Sequence, residues 1–308
     1  MIELRHLRYF VVVAEEGHVT RAAERLGMQQ PPLSQQIRAL ERLVGEQLFR
    51  RTARGVELTD AGEVLLTDAR AMLGQLDRAV ETARRAARGE QGKLTVGFTS
   101  TAPFNSLVPL SIRRFHEECP QVALTVEECL SDELVDRLKS DRIDVAFIRT
   151  APAGSEGLTV TELAKEPMVV ALPEDHSACR TEANQAIRFT DLAGDVFILA
   201  GPPGTGLHDG IIAACQKAGF NPRVGNLGAS SKQAPRITST LSLVAAGLGI
   251  TCVPASLQRF GMEGVVYRRL ADADAPTLPL SIATRRGDIS ATVRRFTNLS
   301  RKLAGAAP

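Results

Sequence analysis

Apolar positions in the first sixty residues recur at helical spacing. Leu7, Phe10 and Ala14 fall at i, i+3 and i+7, which predicts a helix with one buried face. After a glycine, Ala22, Ala23 and Leu26 face inward on a second, short helix, which Gly27 ends. Pro31-Pro32 opens a third helix, where a missing N–H costs nothing. Its Leu33, Ile37, Leu40 and Val44 repeat at 4-3-4 spacing and are expected to be buried. From Thr59, a plausible helix cap, the pattern changes: Leu65, Ala69, Met72, Leu76, Ala79 and Ala83 alternate at four and three. That 3.5-residue repeat predicts a long helix with a coiled-coil seam, ended by Gly89.

The polar positions of the third helix give this region its chemistry. Gln30, Pro31, Ser34, Gln35 and Arg38 lie opposite the apolar stripe, offering short polar groups for base edges and a cation for phosphate. The run Phe49 to Leu58 reads as a hairpin wing with Arg51 and Arg54 near its tip, suited to a minor groove. An ordinary three-helix bundle with a solvated face is the alternative. It leaves unexplained why turn, proline start and basic wing coincide at helix-turn-helix spacing.

These residues carry a family resemblance. Leu7…Phe10, Ala22-Ala23…Leu26, Gln30-Pro31-Pro32-Leu33-Ser34, Leu40-Glu41…Gly45…Leu48-Phe49…Arg51 and Leu58-Thr59…Gly62 resemble the LysR-type transcriptional regulators. The opening Glu3 to Phe10 and the Gln-Pro-Pro-Leu-Ser run look most like the subgroup that controls aromatic-compound catabolism, responsive to benzoate, muconate or chlorocatechol-type inducers. The resemblance implies an α/β chain in three parts. A winged helix-turn-helix spans residues 1–62 and a linker and dimerisation helix with its hinge spans 63–92. A periplasmic-binding-protein-like effector domain spans 93–308, as two Rossmann-like subdomains of 93–166 plus 268–308 and 167–267. The implied partners are a palindromic double-stranded promoter site, a small-molecule effector, a second copy through the linker helix with assembly to a homotetramer, and RNA polymerase if the outcome is activation.

Beyond Lys93, apolar strand patterns alternate with helical ones, the mark of α/β architecture with buried, mostly parallel strands. Effectors in such folds bind beyond the carboxyl ends of strands. Three such ends carry polar groups: Thr99-Ser100-Thr101, Ser131 at a helix start, and Arg149. Hydroxyls, helix N-termini and an arginine suit a carboxylate. In the similar aromatic-responsive regulators, inducer contacts fall at the positions matching Thr101, Ser131 and Arg149. The glycine-rich Gly201 to Gly206 resembles the start of a phosphate-binding loop, but Leu207 and His208 stand where lysine and Ser/Thr are required. It reads instead as a turn whose N–H groups, with Gly204 and Thr205, face the effector.

Bulk properties refine this picture. Net charge is +2, so any nucleic-acid footprint is local; residues 18–54 hold seven arginines against three glutamates. Five cysteines without a C-x-x-C pair, and five scattered histidines, predict neither a disulfide framework nor a metal site, and no cofactor is expected. His18 is expected to cap or buttress the second helix. The start of the chain reads as a charged amphipathic helix rather than a signal peptide, and no apolar run is long enough to span a membrane; a cytoplasmic protein that is not an enzyme is expected. The competing readings are an enzyme or transporter component on a solute-binding fold, which leaves Leu7 to Leu58 unexplained, and a redox-sensing regulator, for which Cys129 or Cys215 would be the sensor.

Overall fold

The structure, a computed structural model, describes residues 1–149, 154–180, 185–225, 236–271 and 275–306. The chain divides into two compact units, Met1–Arg85 and Ala86–Pro308.

In the first unit, α1 (Leu4–Glu16), α2 (Val19–Arg25) and α3 (Gln30–Val44) precede a hairpin of β1 (Phe49–Thr52) and β2 (Gly55–Leu58). Helix α4 follows (Asp60–Ala87). Leu7, Phe10, Ala22, Ala23, Leu33, Ile37, Leu40 and Leu48 form one core, as the periodicity predicts. Val44 departs from the pattern and is exposed, because the stripe runs off the end of the helix just before Gly45 takes a left-handed conformation. Two contacts fix the wing. Val56 N–H donates to Gly17 O at 2.9 Å, and a Cβ on Gly55 would lie 2.2 Å from that same oxygen, so only glycine fits there. The Thr59 hydroxyl donates to Gln47 O and accepts from Gly62 N–H, capping α4 as expected.

The 3.5-residue stripe of α4 divides between two uses. Leu65 and Ala69 pack on the core of their own head, together with Leu66 and Leu73. Further along, Met72, Ala79 and Ala83 are exposed and Leu76 is half-buried. The predicted continuous seam is therefore partly spent within the chain.

The second unit is built on β3 (Gln91–Phe98), α5 (Leu107–Glu118), β4 (Gln121–Glu128), α6 (Ser131–Lys139), β5 (Val145–Ile148) and β6 (Leu158–Pro173). After these come β7 (Val196–Phe197), α7 (Gly206–Lys217), β8 (Arg223–Val224), α8 (Ile237–Ala245) and β9 (Thr251–Pro254). The last elements are β10 (Val265–Arg269), β11 (Thr277–Arg285) and α9 (Ala291–Gly305). Strand β3 pairs in parallel with β4 and β5, as βαβ units do. The rest of the large sheet corrects the mostly parallel expectation, since β11 lies antiparallel to β5 and β6, and β6 antiparallel to β9 and β10.

Strand β6 explains the mixture. Its residues 158–167 pair with β11, and its residues 168–173 pair with β9 and β10. It thus passes from one apolar core, containing Leu94, Val96, Phe115, Phe147 and Phe296, to another, containing Val170, Leu172, Phe197, Ile211 and Leu241. Strand β10 pairs with residues 169–173 of β6, on the second core, and β11 pairs with residues 158–167. In the apolar run of residues 196–200, only Val196 and Phe197 join a ladder; Ile198 to Ala200 are buried beside it.

Candidate functional site

The residues of α3 expected to read DNA lie on the face opposite its buried Leu33, Ile37 and Leu40. Gln30, Pro31, Gln35 and Arg38 are exposed and Ser34 is half-buried. The Gln30 amide donates to the Ser34 hydroxyl at 3.1 Å. In the wing, Arg50 is matched across the hairpin by Glu57 at 3.1 Å. Arg38, Arg51 and Arg54 are exposed, and none has a carboxylate partner among the described residues. Exposed guanidinium groups of this kind are able to meet phosphates. The His18 ring accepts from Thr20 N–H at 3.3 Å, the cap expected of it. Glu41 has a part the sequence did not disclose: its carboxylate accepts from Leu48 N–H at 3.0 Å and Phe49 N–H at 3.3 Å, seating the wing against α3.

In the second unit, a cavity of about 60 Å³ lies between the two cores at the ends of β3, β4 and β5. Ser100, Thr101, Ser131, Arg149 and Thr205 all line it, together with Thr99, Glu128, Gly201 and Arg236. Gly204 does not: it is exposed, and its N–H donates to Asp209 Oδ1 at 3.0 Å. The tight turn rotates that amide away, and Gly201 and Gly206 face the cavity in its place.

Three helices begin at this cavity, α6, α7 and α8, and none has a side-chain cap on its first turn. Uncapped first-turn amides carry the positive end of each helix dipole, so their convergence favours an anion. Among the hydroxyls, Thr205 donates to Pro202 O within its own turn at 2.7 Å. Thr99 differs, since its hydroxyl is buried and has no hydrogen-bond partner among the described residues. It opens the Thr99-Ser100-Thr101 run; Thr101 is buried as well, but its hydroxyl accepts from Arg149, a difference that sequence does not display.

Arg149 is neither a surface ion-pair nor a free cation. It is 2% exposed. Its Nε donates to Thr101 Oγ1 at 3.2 Å, Nη2 to Thr101 O at 2.8 Å and Nη1 to Glu166 Oε2 at 2.8 Å. Glu166 also accepts from the Asn105 amide at 3.1 Å and from Ser256 N–H at 2.6 Å. Burial pushes the Glu166 carboxyl up, but the Ser256 bond, the Arg149 charge and the Asn105 bond together outweigh it and hold the carboxyl below its usual range. Burial likewise lowers Arg149, against the pull of Glu166. The charge of Arg149 is thus met from within the protein, and Glu166 links residues of both cores.

The thiols argue against the redox reading. All five described cysteines are free. Burial pushes Cys129 up, raises Cys215 to about 11 and raises Cys252 further. Sensor cysteines need the opposite shift, toward the thiolate. Among the described residues no cluster of His, Cys, Asp and Glu could hold a metal, and no helix is long and apolar enough to cross a membrane.

Comparison with known proteins agrees with both units. Residues 4–63 match the profile of the bacterial regulatory helix-turn-helix protein, lysR family, and residues 87–305 match the LysR substrate binding domain. The chain is 38% identical over 300 residues to the HTH-type transcriptional regulator BudR of Raoultella terrigena, covering 97% of this chain and 100% of that one. It is 34% identical over 299 residues to the regulator CatR of Pseudomonas putida, covering 97% and 98%. Among solved structures, CbnR, a LysR family transcriptional regulator, superposes with a TM-score of 0.84 at 30% identity, covering 97% of this chain and 100% of CbnR. Full-length CbnR complexed with its target DNA superposes with a TM-score of 0.81 at 30% identity, covering 98% and 100%. The chain belongs to the LysR family of bacterial transcriptional regulators.

Proposed function

We propose that this regulator is switched by a small carboxylate bound in the cavity between the two cores. The observation that carries this reading is the convergence of three uncapped helix N-termini and the unpartnered Thr99 hydroxyl on one cavity, with Arg149 already neutralised by Glu166. An anion entering there meets donors that no described side chain satisfies. Thr99, Ser100, Thr101, Ser131 and the 201–206 turn are its contacts, and Arg149 acts through the oriented Thr101.

On the DNA side, Gln30, Pro31, Ser34, Gln35 and Arg38 read the major groove, while Arg51 and Arg54 follow the backbone or the adjacent minor groove. The exposed Met72, Ala79, Val80 and Ala83 of α4 support pairing of two chains through this helix, so that two heads engage a palindromic site. The similarity to CatR and CbnR favours the aromatic-catabolism subgroup, with a tetrameric assembly acting in the cytoplasm. Effector binding would bias the effector domain between two arrangements and so the engagement of the heads, a coupling of about 1–3 kcal/mol.

The test is a thermal-shift screen of the full chain against graded aliphatic and aromatic carboxylates, followed by calorimetry on Thr99→Val/Ser131→Ala. Stabilisation of the wild type and at least tenfold weaker binding by the double variant are expected, since hydrogen bonds to a charged group are each worth about 1.5–3 kcal/mol. Unchanged affinity in the double variant places the site elsewhere.

A further inference from the structure

The mouth of the cavity carries an ion pair that the sequence did not announce. Arg236 stands at the start of α8, on the second core, and Glu128 at the end of β4, on the first. They lie 108 residues apart in the chain, yet Arg236 Nη1 donates to Glu128 Oε1 at 3.4 Å. Both line the cavity. The neighbouring Glu127 is engaged by Arg137 instead, so Glu128 alone of this acidic pair faces the cavity.

Charge accounting then constrains the ligand. At the deep end Arg149 is matched by Glu166, and at the mouth Arg236 is matched by Glu128. What remains for an anion is the partial positive charge of the three helix starts and the free hydroxyls, which suffices for one carboxylate. The rest of the wall is apolar: Cys129, Leu130, Ala200, Leu207 and Ile237. That wall fits a compact hydrocarbon body. A second carboxylate at the opposite end of the ligand arrives at the mouth, where it competes with Glu128 for Arg236 and leaves one carboxylate facing another.

We infer that Glu128 and Arg236 form a charge-selecting gate that admits small monocarboxylates and rejects dicarboxylates of the same length. This rests on the cavity being the effector site proposed above. Glu128 sets the selection by repulsion, and Arg236 keeps Glu128 from repelling every anion. Specificity of this kind is a difference of affinities created by the unfavourable contact.

The experiment compares matched ligand series on the full chain at pH 7.5. Propanoate, butanoate and benzoate form one series, and malonate, succinate and terephthalate the other. Binding is read by calorimetry on wild type, Glu128→Gln and Arg236→Gln; both side chains are largely exposed, and circular dichroism confirms the fold. The wild type is expected to prefer its best monocarboxylate to the corresponding dicarboxylate by about tenfold or more. Glu128→Gln should raise dicarboxylate affinity and shrink that ratio to about threefold or less, with monocarboxylate affinity nearly unchanged. Arg236→Gln should weaken both series. Equal binding of the two series by the wild type, or an unchanged ratio in Glu128→Gln, overturns the gate while leaving the effector site standing. Failure of every carboxylate to bind the wild type overturns both.

Discussion

Replacing Glu166 by Gln removes one charge and changes almost no volume, yet it should be among the most damaging single substitutions in the effector unit. Glu166 and Arg149 have side chains 8% and 3% exposed, so neither charge can turn to water. Glu166 accepts three hydrogen bonds, from Arg149, Asn105 and Ser256. Glutamine can keep an acceptor toward Ser256 N–H, but its amide nitrogen then meets two donors, the Arg149 guanidinium and the Asn105 amide. Arg149 is left as a buried, uncompensated cation, at a cost of about 3–5 kcal/mol. For a unit of this size each kcal/mol moves the midpoint by about 2–4 °C, so a fall of about 6–20 °C is expected in the calorimetric transition of the effector unit. Glu128→Gln breaks an exposed pair and should cost less than about 1 kcal/mol.

The pH dependence separates this mechanism from a general packing defect. Because the folded Glu166 carboxyl lies below its usual range, its contribution is complete above the unfolded value of about 4.3 and is lost as pH falls through the folded value. The gap in stability between wild type and Glu166→Gln should therefore narrow below about pH 4. A midpoint shift under about 2 °C at pH 7 would refute the reasoning, because it would mean that Arg149 is solvated without its partner.

The other predictions concern the first unit and the thiols. Met72→Asp puts a carboxylate on the exposed part of the α4 stripe and should dissociate the dimer in sedimentation experiments, with the effector unit still folded. An unchanged sedimentation coefficient would mean that this stripe is not the interface. Gln35→Ala should relax operator preference at its base position, a loss of about 1–3 kcal/mol of discrimination, and Arg54→Ala should lower the salt slope of DNA binding by about one. Wild-type behaviour of both variants at two salt concentrations would contradict the assignment of the recognition face. Cys215 and Cys252 should stay unreactive toward a thiol reagent until the protein unfolds, since burial keeps both protonated; rapid labelling of the native chain would speak for the redox reading.

The head was legible because its information is local. A 3.6-residue stripe, a proline start and a wing turn each occupy a few consecutive residues, and the core of Leu7, Phe10, Leu33 and Leu40 follows from them. The effector unit was legible where strands are apolar throughout, as β5 is. The first half of β6 was not, because Thr159, Thr161, Glu162 and Lys165 break the apolar run. At the site, strand ends pointed to Thr101, Ser131 and Arg149. What they could not indicate was which charges would be met. Glu166 is 17 residues from Arg149 and Glu128 is 108 from Arg236, and only tertiary folding brings each pair together. The partner of the Gly204 amide was hidden for a related reason: the orientation of a single amide in a turn is set by its hydrogen bond, here to Asp209.

The central claim, that the cavity is the switch for DNA engagement, is tested most directly by measuring operator affinity and bend angle with fluorescently end-labelled DNA. The full chain is titrated with the tightest-binding carboxylate from the thermal-shift screen, in parallel with Thr99→Val/Ser131→Ala. The wild type should change its operator affinity by about 5–150-fold, or its bend angle, at ligand concentrations that saturate the cavity. The double variant should bind operator as the free wild type does and show no response. An equal response from the double variant, or carboxylate binding that leaves DNA engagement untouched, would contradict the account.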